Sequence, residues 1–169
     1  LHRPNVYRPT FDQVRAQAEL AEGIRQLDLD IAASLAAFER SIRANPSFPD
    51  PHAWSAQVLS WEEEVESAIA SAIRATELEP ANGEYHLLVS DVASLGEQYD
   101  LAWEHVIRAA QTGLEPTFEF DALAELAPPP DGIRERLNAP RVAILAAPST
   151  QPDLIVRAAL PTAIRNIAR

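Results

Sequence analysis

Apolar residues recur every three to four positions through the first two-thirds of the chain, the period of an amphipathic helix. Phe11, Val14, Ala18, Ala21 and Ile24 fall on one face of a helix over 11–27, with Thr10 placed to cap it. Ile31, Leu35, Phe38 and Ile42 repeat the pattern over 31–44, and Pro46 stands where a helix cannot continue. Asp50-Pro51 predicts a helix start, a capping carboxylate followed by proline at the first helical position. That helix, over 51–61, carries Trp54, Val58 and Trp61. A fourth helix over 63–78 opens within the acidic run Glu62–Glu66 and buries Val65, Ala68, Ile69, Ala72, Ile73 and Ala75. Asn82 caps a fifth, over 83–95, with Tyr85, Leu88, Val89, Val92 and Leu95 inside. Gly96 makes the turn to a sixth, over 98–111, built on Tyr99, Ala102, Trp103, Val106 and Ala109, and Gly113 is placed for a left-handed C-cap. Short turns make neighbours antiparallel, so the pattern predicts three helix pairs.

The pairs recur at a fixed step. Pro46 and Pro80 each follow a second helix and lie 34 residues apart, a period that marks stacked helical repeats. In the third unit the Gly96 turn, Tyr99, Ala102 and Ala109 fall where tetratricopeptide repeats carry them, with the terminal proline displaced to Pro116. The second unit matches at Ala68, Ala75 and Pro80, with Ala72 where a larger residue is usual. The first matches at Phe38 and Pro46, with Ser34 and Ser41 in place of the small residues. The first helices, around Trp54 and Tyr85, depart from the pattern. Over residues 11–113 the chain resembles the tetratricopeptide family. The resemblance implies a mainly α fold, a right-handed superhelix of antiparallel helix pairs in units of about 11–46, 49–80 and 83–113, whose first helices line a concave groove.

Beyond Gly113 the pattern changes. Residues 117–127 read as a seventh helix that caps the last repeat, and Pro128 to Pro130 form a stiff spacer before a short helix over 131–137, so 114–138 is a capping region. Residues 141–147 are a continuous apolar run between Pro140 and Pro148, the one strand candidate, followed by a helix over 154–168 with Pro161 inside it. A lone strand cannot satisfy its own backbone. Residues 139–169 therefore read as the strand–helix opening of an incomplete α/β element, with pairing between copies through 141–147 as the other solution. Residues 1–10 form an irregular lead-in. The initial Leu1 and the absence of methionine add to an expectation of an N-terminal module cut from a longer protein.

Charge narrows the partners. Net charge is −11 at pH 7 with a pI near 4.7, which argues against nucleic acid and anionic membranes. All 14 basic residues are arginine, which with abundant alanine suggests a GC-rich bacterial genome. No apolar run is long enough to cross a membrane; the expectation is a soluble protein of bacterial cytoplasm, periplasm or envelope. There is no cysteine, no phosphate-binding glycine loop and no nucleophile–base set, so neither an enzyme nor a cofactor is expected. His52 and His86 are one repeat apart, which places them at equivalent seam positions too distant to share a metal. The acidic run Glu62, Glu63, Glu64 and Glu66 reads as a solvated helix start.

The resemblance turns attention to the first helices. Off their core faces lie Glu19, Gly23 and Gln26, then Ala53, Gln57, Ser60 and Trp61, then Glu84, Leu87, Asp91 and Ser94. Of these, Gln26, Gln57, Ser60, Trp61, Glu84, Leu87, Asp91 and Ser94 form the expected partner groove. Trp61 is placed equally well as a core residue and as an exposed anchor. The surface is acidic, polar and partly apolar. It lacks arginine where chaperone-binding members of the family clamp a peptide carboxylate, so a basic or apolar partner segment is expected. The functional expectation is a protein-interaction scaffold, and the alternative is a self-association module that regulates an attached domain.

Overall fold

The structure, a computed structural model, describes residues 10–133 and Arg136. Seven helices account for its regular structure, with no strand among the described residues: α1 (Phe11–Gln26), α2 (Ile31–Ala44), α3 (Asp50–Trp61), α4 (Val65–Leu78), α5 (Gly83–Leu95), α6 (Tyr99–Thr112) and α7 (Thr117–Leu126). The lead-in 1–9, the strand expected over 141–147 and the helix over 154–168 lie outside the described residues, as do residues 134, 135 and 137 of the short helix expected over 131–137.

Local chemistry sets several helix ends. Thr10 and Gln13 form a reciprocal capping box that satisfies backbone donors at the start of α1. Asp30 caps α2 through Ala33 N–H at 2.9 Å, and Asn82 caps α5 through Glu84 N–H at 3.1 Å. Gly113 ends α6 at φ 104°, a left-handed conformation that glycine adopts without steric cost.

Asp50 does not act as the expected cap. Pro49 holds the cap position, and Asp50 is the first helical residue, 7% exposed. Its carboxylate accepts a hydrogen bond from the Tyr85 hydroxyl, tying α3 to α5. A buried carboxylate needs such a donor, and that demand outweighs the local capping preference. Helix α4 also starts two residues later than the acidic run suggested, so Glu62, Glu63 and Glu64 form the preceding turn. In the turn after α5 the left-handed residue is Glu97 at φ 56°, not Gly96, and Glu63 at φ 62° is its counterpart after α3.

Pairs α1/α2, α3/α4 and α5/α6 pack side by side, and successive pairs stack through α2 on α3 and α4 on α5. Helices α2, α4 and α6 open at Ile31, Val65 and Tyr99, 34 residues apart each time. Helices α5 and α7 open at Gly83 and Thr117, again 34 apart. Helix α7 thus stands where the first helix of a fourth unit would begin. It packs on α5 and α6 through buried Leu123 and an edge-to-face contact of Phe120 with Trp103 at 4.9 Å.

The α1/α2 seam corrects the face expected for α1. Phe11 is 80% exposed, and Val14, Ala18 and Ala21 also face outward. The buried stripe is Ala16, Leu20 and Gly23. Two buried serines of α2 explain the choice: Ser34 Oγ donates to the Gly23 carbonyl at 2.8 Å, and Ser41 Oγ to the Ala16 carbonyl at 2.7 Å. Such bonds demand close helix approach, which small residues permit. A Cβ on Gly23 would sit 2.3 Å from the Phe38 ring. Phe38 is fully buried and stacks on Trp54 at 6.4 Å, carrying the core across to the second pair. Burial of one such side chain is worth about 1.5–3 kcal/mol. The core runs unbroken from α1 to α5, and a second cluster joins α5, α6 and α7.

Candidate partner-binding cavity

Three helices surround one cavity of about 400 Å³, a volume ordinary for ligand sites. Helix α5 contributes Glu84, Leu87, Leu88, Asp91 and Ser94, whose three- and four-residue spacing puts them on one face. Helix α3 contributes Gln57 and Ser60 from its later turns. Helix α7 and the segment before it supply Leu114, Glu115, Pro116, Phe118, Glu119, Ala122, Leu123 and Leu126. The walls are apolar. The charged groups are the carboxylates of Glu84, Asp91, Glu115 and Glu119, and among the described residues no arginine or histidine lines the cavity.

Six of the eight expected groove residues lie together here: Gln57, Ser60, Glu84, Leu87, Asp91 and Ser94. Gln26 and Trp61 do not line the cavity. Gln26 ends α1 and donates from Nε2 to Glu22 Oε1 at 2.7 Å. Trp61 ends α3 and is 37% exposed. Glu19, Gly23 and Ala53 serve packing instead: Glu19 pairs with Arg40 at 2.7 Å, Gly23 admits Phe38, and Ala53 is buried in the core.

Two of the cavity residues are in unusual electrostatic or hydrogen-bonding states. Burial pushes the Asp91 carboxyl up to about 7 from 3.8, and the negative charges of Glu119 and Glu84 push in the same direction. Gln57 is 1% exposed, and neither its amide nitrogen nor its amide oxygen has a partner among the described residues. An unsatisfied buried polar group costs about 1–3 kcal/mol. The hydroxyls nearby are occupied: Ser60 Oγ donates to the Gln57 carbonyl at 2.7 Å and Ser94 Oγ to the Ser90 carbonyl at 2.8 Å.

Sequence reasoning missed the α7 wall. The signal was present in the step from Gly83 to Thr117, which extends the first-helix register into a fourth position. It also missed a histidine pair. His86 Nδ1 and His105 Nδ1 are 3.1 Å apart between α5 and α6, and both residues are buried. His86 Nε2 donates to the Pro80 carbonyl at 3.0 Å, so neutral His86 accepts at Nδ1 and His105 donates to it. Burial depresses both groups; His105 falls to about 4, with His86 and Arg108 adding to the shift. No group of three potential metal-ligating side chains occurs among the described residues, and no described helix is long and apolar enough to cross a membrane.

No protein-family profile matches the sequence, and no curated protein does. Among solved structures, the TPR2B domain of yeast Sti1, in a complex with pHsp70, matches with a TM-score of 0.61 and 19% identity. The match covers 66% of this chain and 94% of that one. The helix pairs have the tetratricopeptide-repeat fold. Helices α3, α5 and α7 take first-helix positions in this repeat fold, so the cavity lies on the first-helix face.

Proposed function

We propose that this tetratricopeptide domain is a protein-interaction module that holds a segment of a partner protein in the cavity between α3, α5 and α7. The observation that carries the reading is the cavity itself: apolar walls rimmed by four carboxylates and, among the described residues, by no basic group. Apolar walls supply affinity through burial, and the acidic rim selects against acidic segments. The structural neighbour, a tetratricopeptide domain in a complex with pHsp70, supports protein binding by this fold. The charge of this cavity favours a basic or apolar segment over one ending in a carboxylate.

Selection of displayed random peptides on the full chain tests the proposal. Ser94→Trp fills the cavity and Asp91→Arg reverses its charge at a partly buried position. Either change should weaken recovered peptides by about tenfold or more. Binding that neither change alters would place the partner surface elsewhere.

A further inference from the structure

Gln57 has no evident task inside the fold. It sits in the middle of α3, wholly buried, lining the cavity, with a donor and an acceptor that nothing among the described residues satisfies. A leucine would fill the same place without the desolvation cost. Lining the cavity with no partner among the described residues, the amide is free to bond a group that enters it.

The charges around it say what kind of group that is. Asp91 makes no hydrogen bond or ion pair among the described residues, and it faces like charges from its own helix (Glu84) and from α7 (Glu119). Mutual repulsion of this kind is relieved by a cation. A metal ion is a poor fit, because these carboxylates do not converge into a metal-ligating group among the described residues. An organic cation with several spread donors and an apolar stem fits better. Arginine carries five donors in a planar fork and a stem of methylenes, whereas lysine offers a compact point charge.

We propose that the cavity is an arginine pocket: it takes one arginine side chain of the partner segment, with the guanidinium donating to Asp91, Glu119 and the Gln57 amide oxygen. The stem lies along Leu88 and Leu123, and the Gln57 amide nitrogen donates to a backbone carbonyl of the same segment. This inference rests on the partner-binding reading above and adds the identity of the anchoring residue.

The test uses displayed random peptides selected on the full chain, then synthetic copies of the selected sequences with each arginine replaced in turn by citrulline, its neutral isostere. At one arginine the replacement should weaken binding to the unmodified protein by about tenfold or more, and to an Asp91→Asn/Glu119→Gln double variant hardly at all. The double variant removes repelling charges, so its thermal midpoint should be no lower than that of the original protein, which separates lost recognition from lost folding. Affinity of the arginine peptide should rise from pH 6 to pH 8 as Asp91 ionises, and this rise should vanish in Asp91→Asn. Peptides whose binding Ser94→Trp abolishes but citrulline leaves unchanged would overturn the arginine pocket and leave the interaction module standing. Peptides insensitive to Ser94→Trp would overturn both.

Discussion

The two ends of this array differ in what their helices enclose. At the first pair, α1 and α2 approach closely enough for Ser34 and Ser41 to bond the backbone of α1, and Phe38 fills the space beside Gly23. At the other end, α7 touches α5 through Leu123, and together with α3 they enclose about 400 Å³. Small residues close the first seam. Large apolar side chains line the cavity at the other end, with carboxylates of like charge on both α5 and α7. One repeat fold thus carries a tightly packed end and an end with a cavity.

The largest expected effect lies at the tightly packed end. Phe38→Ala should cost about 3–5 kcal/mol, read as a lower urea midpoint for the whole domain, because Phe38 carries the core from the first pair to the second. Phe120→Ala, on partly buried α7, should cost less. Its hydrogen exchange should quicken in α7 while α1–α4 keep their protection. Equal losses at both sites would erase the distinction between the two ends.

A smaller effect concerns pH. His105 has a folded pKa near 4 against 6.5 unfolded. The unfolded chain therefore takes up a proton first, and stability is lost as pH falls from 6.5 towards 4. Asp91 runs the other way, with a folded pKa near 7 against 3.8, so its contribution improves as pH falls through the same window. The two offset each other between pH 4 and 6.5. Asp91→Asn removes one side, so its urea stability should fall more steeply on acidification than that of the original protein. A parallel pH profile would show that Asp91 is not held protonated.

Much of this was legible in the sequence. The bounds of α2 and α5 follow directly from apolar spacing, Asn82 at the start of α5, and proline or glycine past the end. The buried face of α1 was not, since hydrophobicity pointed to Phe11 and Val14 while the seam was selecting for small size at Ala16 and Gly23. Asp50 looked like a local cap, and only the fold could bring Tyr85 to it. His86 and His105 lie on different helices, so no helical period links them. The α5 side of the cavity could be read from the off-core positions of a first helix. Its α7 side required following the 34-residue step one unit further.

That step also relates Glu63 and Glu97, two glutamates held at positive φ in equivalent turns. Most residues with a Cβ are strained there, whereas glycine, and asparagine among the others, tolerate the left-handed region. Each turn thus holds stability in reserve. Glu63→Asn and Glu97→Asn should each raise the thermal midpoint, by an amount corresponding to about 0.5–1 kcal/mol, without touching core or cavity. The turns between paired helices are the cheapest places to make this protein hardier, and neither glutamate lines the cavity, so it could be toughened without reshaping it.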